Sequence, residues 1–175
     1  MHLGRLAART VIGGLFIGHG TQKLFGWFGG PGLDGTEGMM KSLRMYPTRR
    51  NAIAAGATET AGGVLLAAGL ATPVATSALT GVMVTAIRTV HLPNGPWNAN
   101  GGYEFNATLV AALTALAESG PGDLSLDAAL GRRWHGARWA LASLAVGAAA
   151  SAATIAAGRA QAPPEPIESA QDTPA

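Results

Sequence analysis

The sequence predicts an all-α integral membrane protein: an antiparallel four-helix transmembrane bundle with a fifth, C-terminal transmembrane helix. Three observations carry this expectation. Hydrophobic residues make up 48% of the chain and charged residues only 13%, about half of what a soluble domain uses to coat its surface. Five runs avoid charge for close to the roughly 20 residues needed to cross about 30 Å of hydrocarbon. Glycine and proline fall between those runs, where the chain has to reverse.

The first run covers about residues 9–28, after Arg5 and Arg9. It ends in "GHGTQK" rather than in a small-residue cleavage site, so it reads as a span and not as a signal peptide. Within it "GLFIG", 14–18, has the small-residue spacing that lets helices approach closely. The following loop, "GGPGLDGTEGMMKSLRMYPTRR", sets Met39, Met40, Leu43 and Met45 among Lys41, Arg44, Arg49 and Arg50, a pattern suited to a short helix lying on the membrane surface. Between Arg50 and Arg88 the only charge is Glu59. That stretch accommodates spans two and three, hinged at "GLATP" by Gly69 and Pro73.

Span four runs from "GGYEFN" to "ESGPGD", about 102–119. Span five, "WALASLAVGAAASAATIAAG", is uncharged over 139–158, but alanine is nearly neutral in transfer to lipid, so this helix needs packing against its neighbours. The final "APPEPIESAQDTPA" holds Pro163, Pro164, Pro166 and Pro174 and no large apolar residue except Ile167, and is expected to be disordered. The division is therefore 1–131 for the four-span bundle, 132–158 for the additional helix and 159–175 for the tail.

A net charge of +2, with basic residues scattered in ones and twos, argues against nucleic acid as a partner. With no cysteine in the chain, thiolate metal sites, iron–sulfur clusters and disulfide exchange are excluded. Trp27, Trp97, Trp134 and Trp139 fall near span ends, as interfacial indoles do.

Antiparallel neighbours joined by short loops fix the depth of each polar residue. At 1.5 Å per residue, His19 lies roughly 13 Å below one face, Glu59 roughly 12 Å, Lys23 roughly 7 Å and Arg88 roughly 6 Å. His91, Tyr103, Glu104 and Asn106 lie nearer that same face. The polar groups thus gather in one leaflet, and the opposite half is read as apolar, with serine and threonine its strongest hydrogen-bonding groups.

Charges within spans face the interior and pair. His19, Gln22 and Lys23, three and four residues apart, share one helix face. The expected site is a polar pocket closed by a Lys23–Glu59 pair and an Arg88–Glu104 pair, with His19 at its floor. A haem between His19 and His91 is disfavoured by the roughly 10 Å between their depths. No metal-ligand set is visible; His19 and Glu59 lack a third partner.

The segments "GHGTQKLFGWFGGPGLDGT", "ATETAGGVLLAAGLAT", "TVHLPNGPWNANGGYE" and "GPGDLSLDAALG", in this order over about residues 3–131, resemble the DoxX family of small bacterial membrane proteins. The resemblance implies a multi-pass four-helix bundle in the bacterial plasma membrane, linked to redox physiology. Relatives serve as the small membrane subunit of an archaeal thiosulfate:quinone oxidoreductase. Others, in mycobacteria, join a membrane oxidoreductase complex with superoxide dismutase and a thiosulfate sulfurtransferase. Carried over by position, the matching polar residues are Gln22, Lys23, Glu59, His91, Asn94, Tyr103 and Glu104. The family has no agreed catalytic residues, so activity does not transfer with the fold. The fifth span and the tail depart from the four-span pattern.

Basic residues balance across the two faces, so the positive-inside count leaves orientation open; the resemblance favours a cytoplasmic N-terminus. Three functional readings follow. The chain is a membrane anchor or scaffold of a redox-linked complex, docking proteins through the Met-rich loop and "HLPNGPWNANGG". Alternatively it is a quinone- or small-molecule-binding subunit that uses the polar pocket. The third reading is a small transporter.

Overall fold

The computed structural model describes residues 3–164; the expected disorder of the proline-rich tail from 165 onward lies outside them. Among the described residues there is no strand, and the chain forms seven α-helices: α1 Leu3–Phe25, α2 Gly32–Ser42, α3 Thr48–Ala68, α4 Thr72–Ala86, α5 Glu104–Ser119, α6 Leu126–Ala129 and α7 Ala137–Ala160. α4 continues through a π-helical turn, Ile87–His91, and a 3-10 turn, Leu92–Asn94. The π-helical turn had no counterpart in the sequence pattern.

The reversal between α3 and α4 falls at the glycine and proline that punctuate it. Gly69 takes φ 63, the left-handed conformation in which glycine ends a helix without a Cβ clash. Pro73 occupies the first turn of α4, where its missing N–H is not needed.

Two helical rods, Thr72–Asn94 and Ala137–Ala160, are long and apolar enough to cross a membrane, with mean hydropathies of 1.2 and 1.8. α1 and α3, at 23 and 21 residues, have the length but carry Arg5, Arg9 and Lys23 on one and Arg49, Arg50 and Glu59 on the other. α5 has 16 residues, which is about 24 Å of helix. α1 and α3 differ from the uniform spans expected because a charge lowers a helix's hydropathy even where the fold satisfies it, and α5 differs because it is short.

α1 lies antiparallel against α3 along glycines seven residues apart on each helix. A Cβ on Gly13 would sit 2.6 Å from the Gly63 carbonyl oxygen, and one on Gly20 would sit 2.6 Å from that of Gly56. Gly14 and Gly18, the small residues of "GLFIG", face open space; the seam runs along the neighbouring face instead. α3 and α4 form the next antiparallel pair, with Gly62 under Leu79. α7 runs parallel to α4, joined by Gly147 against Gly81 and by the Thr76 and Ser143 hydroxyls at 2.9 Å. The core of Phe16, Leu66, Leu79, Met83, Leu113 and Leu116 lies between α1, α3, α4 and α5.

The bundle has two ends: a proximal one, where α1 begins, and a distal one, where α1 finishes and α3 begins. α7 ends distally, because the Tyr46 N–H donates to the Gly158 carbonyl at 3.2 Å and Met45 packs on Gly158. The start of α1 and the finish of α7 therefore lie at opposite ends.

The proximal half is not the purely apolar region expected, since Arg9 there is only 4% exposed. Its guanidinium donates to the carbonyls of Ala67, in the last turn of α3, and Leu124. Asp127, fully buried, accepts from the Ala71 N–H at 2.9 Å, the Thr72 N–H at 3.0 Å and the Thr72 hydroxyl at 2.9 Å. A cation thus meets the negative end of α3 and an anion the positive end of α4, on the groups those helix termini leave unsatisfied.

Candidate functional site

Between α1, α3, α4, α5 and α7 lies a cleft of about 670 Å³, reaching the segment that follows α2 at the distal end. Its walls are mainly aliphatic and methionine side chains, with Leu15, Phe16, Val82 and Leu109 among them. His19, Lys23, Glu59 and His91 also line it.

Lys23 Nζ lies 2.6 Å from Glu59 Oε2, and the two side chains are 21% and 3% exposed. Local geometry brings them together. The glycine seam draws α1 and α3 into contact one turn away from each residue, at Gly20 and Gly56. Side chains lean toward the N-terminus of their own helix. On antiparallel helices Lys23 therefore leans inward and Glu59 leans outward, so they converge. His19 Nδ1 stands 3.1 Å from Gln22 Oε1. With the amide oxygen accepting, Nδ1 is the donor of this pair.

The remaining candidates separate from this group. His91 Nδ1 donates to the Gly101 carbonyl at 2.7 Å, and Asn94 Nδ2 donates to the same oxygen at 3.3 Å. Glu104 Oε1 accepts from the Asn98 N–H at 2.7 Å, and the Tyr103 N–H donates to the Gly95 carbonyl at 3.1 Å. These residues fold the 95–103 connection back on itself. The expected Arg88–Glu104 pair does not form: the carboxylate is taken by a loop N–H at the start of α5, and Arg88 is exposed on the π-helical turn. Of the nine residues, then, Lys23, Glu59, His19 and, through His19, Gln22 form one cluster. His91 reaches the cleft from the wall that Asn94, Tyr103 and Glu104 brace, and Arg88 stands apart.

The sequence reading left three contributors out of the site. Asn106, 6% exposed, lines the cleft, with Nδ2 at 3.4 Å from Met83 Sδ; one amide inside "EFNATLVAALTALA" was a usable signal. Ser151 lines it from α7 and is 1% exposed, but a serine in an alanine-rich helix is unremarkable in sequence. The third contributor is the methionine segment. α2 does form, yet Met40 and Met45 are only 8% and 3% exposed, packed with Ala52 and Ile155. Glu37 ties α2 down, accepting from the Thr48 hydroxyl at 2.9 Å and from Arg49 at 3.0 Å. The segment therefore closes the distal end of the cleft instead of lying free. Among the described residues no three His, Asp or Glu side chains come together as metal ligands would.

The family model of DoxX matches residues 4–92, which runs from α1 through the π-helical turn that follows α4. No curated protein and no solved structure matches the chain. The match holds His19, Gln22, Lys23, Glu59, Arg88 and His91, and leaves α5 and α7 outside it. Just over half of the chain is covered: the protein belongs to the DoxX family of membrane proteins.

Proposed function

We propose that this chain is a multi-pass subunit of the bacterial plasma membrane, part of a redox-linked assembly, and that its cleft binds quinone or a small lipophile of similar shape. In this reading α1, α3, α4, α5 and α7 all cross the bilayer, the four-span unit is 1–131 and α7 is an added span. The observation that carries it is the cleft: about 670 Å³, apolar over most of its wall, with His19, Lys23 and Glu59 concentrated on one side. Small-molecule sites have this build, a greasy enclosure with a few convergent polar groups. His19 Nε2 and the Glu59 oxygen not given to Lys23 are the groups placed to accept from a quinol hydroxyl, and the Lys23 ammonium is the donor for a quinone carbonyl.

The scaffold reading has thinner support. Met40 and Met45 are buried and the 95–103 loop is bound to itself, so both segments are occupied internally. The test is to purify the full chain in mild detergent from quinone-containing membranes, extract it with solvent and chromatograph the extract. Quinone should co-purify and should diminish in the Glu59→Gln variant. A quinone-free extract together with no binding of added quinone would favour the scaffold.

A further inference from the structure

The helix contacts convert sequence position into depth for every wall of the cleft. Gly20 backs onto Gly56, Gly62 onto Leu79 and Gly81 onto Gly147, while Asn106 reaches Met83. Counting along the antiparallel pairs, Glu59 lies level with Val82 of α4 and His19 level with Val84. Asn106 lies level with Met83. Counting along the parallel pair, Ser151 lies level with Thr85. Four polar side chains from four helices therefore stand within about 5 Å of one depth, and all four line the same cleft. Proximal to this level the lining includes Leu15, Phe16 and Leu109, and distal to it Met39, Met40 and Met45 together with Lys23, Asn51, His91 and Asn98.

Ser151 is the unexplained member of the ring. Its Oγ is buried and has no hydrogen-bond partner among the described residues. A helical serine ordinarily donates to the carbonyl four residues back; here that carbonyl belongs to Gly147, whose oxygen faces Gly81 across the helix contact. A buried hydroxyl left unpaired is destabilising, so its place beside a cleft points to a partner that arrives from outside the chain.

We infer that α7 is part of the binding site: Ser151 donates a hydrogen bond to a ligand headgroup held in this polar ring. The ligand is a lipophile with a compact, flat headgroup carrying at least two oxygens, because His19, Glu59, Asn106 and Ser151 reach the cleft at one level from four helices. Its apolar part lies along the aliphatic and methionine walls. The inference rests on the small-molecule reading above and adds to it a residue and a helix that lie outside the family match.

The test uses the full chain in lipid nanodiscs with decylubiquinone as probe, reading the ligand-induced rise in melting temperature and the Kd from its concentration dependence. Ser151→Ala is expected to weaken binding about three- to tenfold, the loss of one neutral hydrogen bond, while the ligand-free melting temperature stays the same or rises. Ser143→Ala is the contrast, since its hydroxyl is already paired with Thr76; it should lower the ligand-free melting temperature and leave Kd unchanged. Equal Kd for Ser151→Ala and the unaltered chain overturns the inference and leaves the small-molecule reading standing. A lowered ligand-free melting temperature for Ser151→Ala also overturns it, by showing a structural partner. If decylubiquinone fails to bind the unaltered chain, the quinone reading falls and the inference falls with it.

Discussion

Lys23 and Glu59 differ in how easily each can be left alone, and that difference is measurable. Glu59 stands 11 residues into α3 with a side chain only 3% exposed, whereas that of Lys23 is 21% exposed near the end of α1. Removing the lysine strands a carboxylate in an apolar wall; removing the carboxylate leaves an ammonium whose long stem can swing toward the distal surface. Lys23→Met should therefore destabilise the protein in detergent by about 2–4 kcal/mol and Glu59→Gln by about 1 kcal/mol. The double variant should lose less than the sum. Equal single losses that add strictly would show that the two residues are not coupled. This pair was legible from sequence because depth within a span is a matter of counting. Arg88 and Glu104 were not, because counting gives no azimuth and cannot foresee that a loop N–H at Asn98 would claim the carboxylate.

At the scale of elements, glycine placement decides how α1 and α3 meet. A Cβ on Gly20 would press into the backbone of α3, 2.6 Å from the Gly56 oxygen, and a helix axis cannot yield as a side-chain tip can. Gly20→Ala should therefore lower stability by about 1–3 kcal/mol through overpacking. Gly18→Ala meets nothing within 4 Å and should be neutral or slightly stabilising, since alanine favours the helix. Thermal denaturation of both variants in the same detergent checks the contrast; a Gly18→Ala loss as large as that of Gly20→Ala would return the close contact to "GLFIG". Helix ends at Gly69 and Pro73 could be read because the backbone itself demands those residues. The choice among faces could not, since Gly13, Gly14, Gly18 and Gly20 are equivalent until a partner helix is placed. α6 was equally silent: four residues long, it presents Asp127 to the start of α4. Asp127→Asn should cost about 1–2 kcal/mol by weakening that cap.

For the whole molecule the open quantity is how many rods cross the bilayer, and the parity of that number fixes where the chain's two ends emerge. α7 is more apolar than the rod formed by α4 and its extension, with a mean hydropathy of 1.8 against 1.2, and it packs against α4 through Gly147 and Ser143. Packing of this kind supplies what an alanine-rich helix lacks in transfer energy. Indoles mark both ends, Trp27 and Trp97 following α1 and the α4 extension distally, Trp134 and Trp139 beside the start of α7 proximally. Trp134 and Trp139 also carry Arg132 and Arg138 over their rings at 5.1 Å and 5.6 Å, an arrangement at home in the headgroup region. α1, α3 and α5 pass between the same two ends as α4 and α7, so a bilayer crossed by α4 and α7 is crossed by all five. An odd number of crossings separates the termini. A reporter fused before Met1 and another fused after Ala175 should therefore report opposite faces of the membrane, read in whole cells by an enzyme active on one side only. Identical sidedness would mean that α7 lies against α4 without traversing the bilayer, and the cleft it helps to wall would then open toward water.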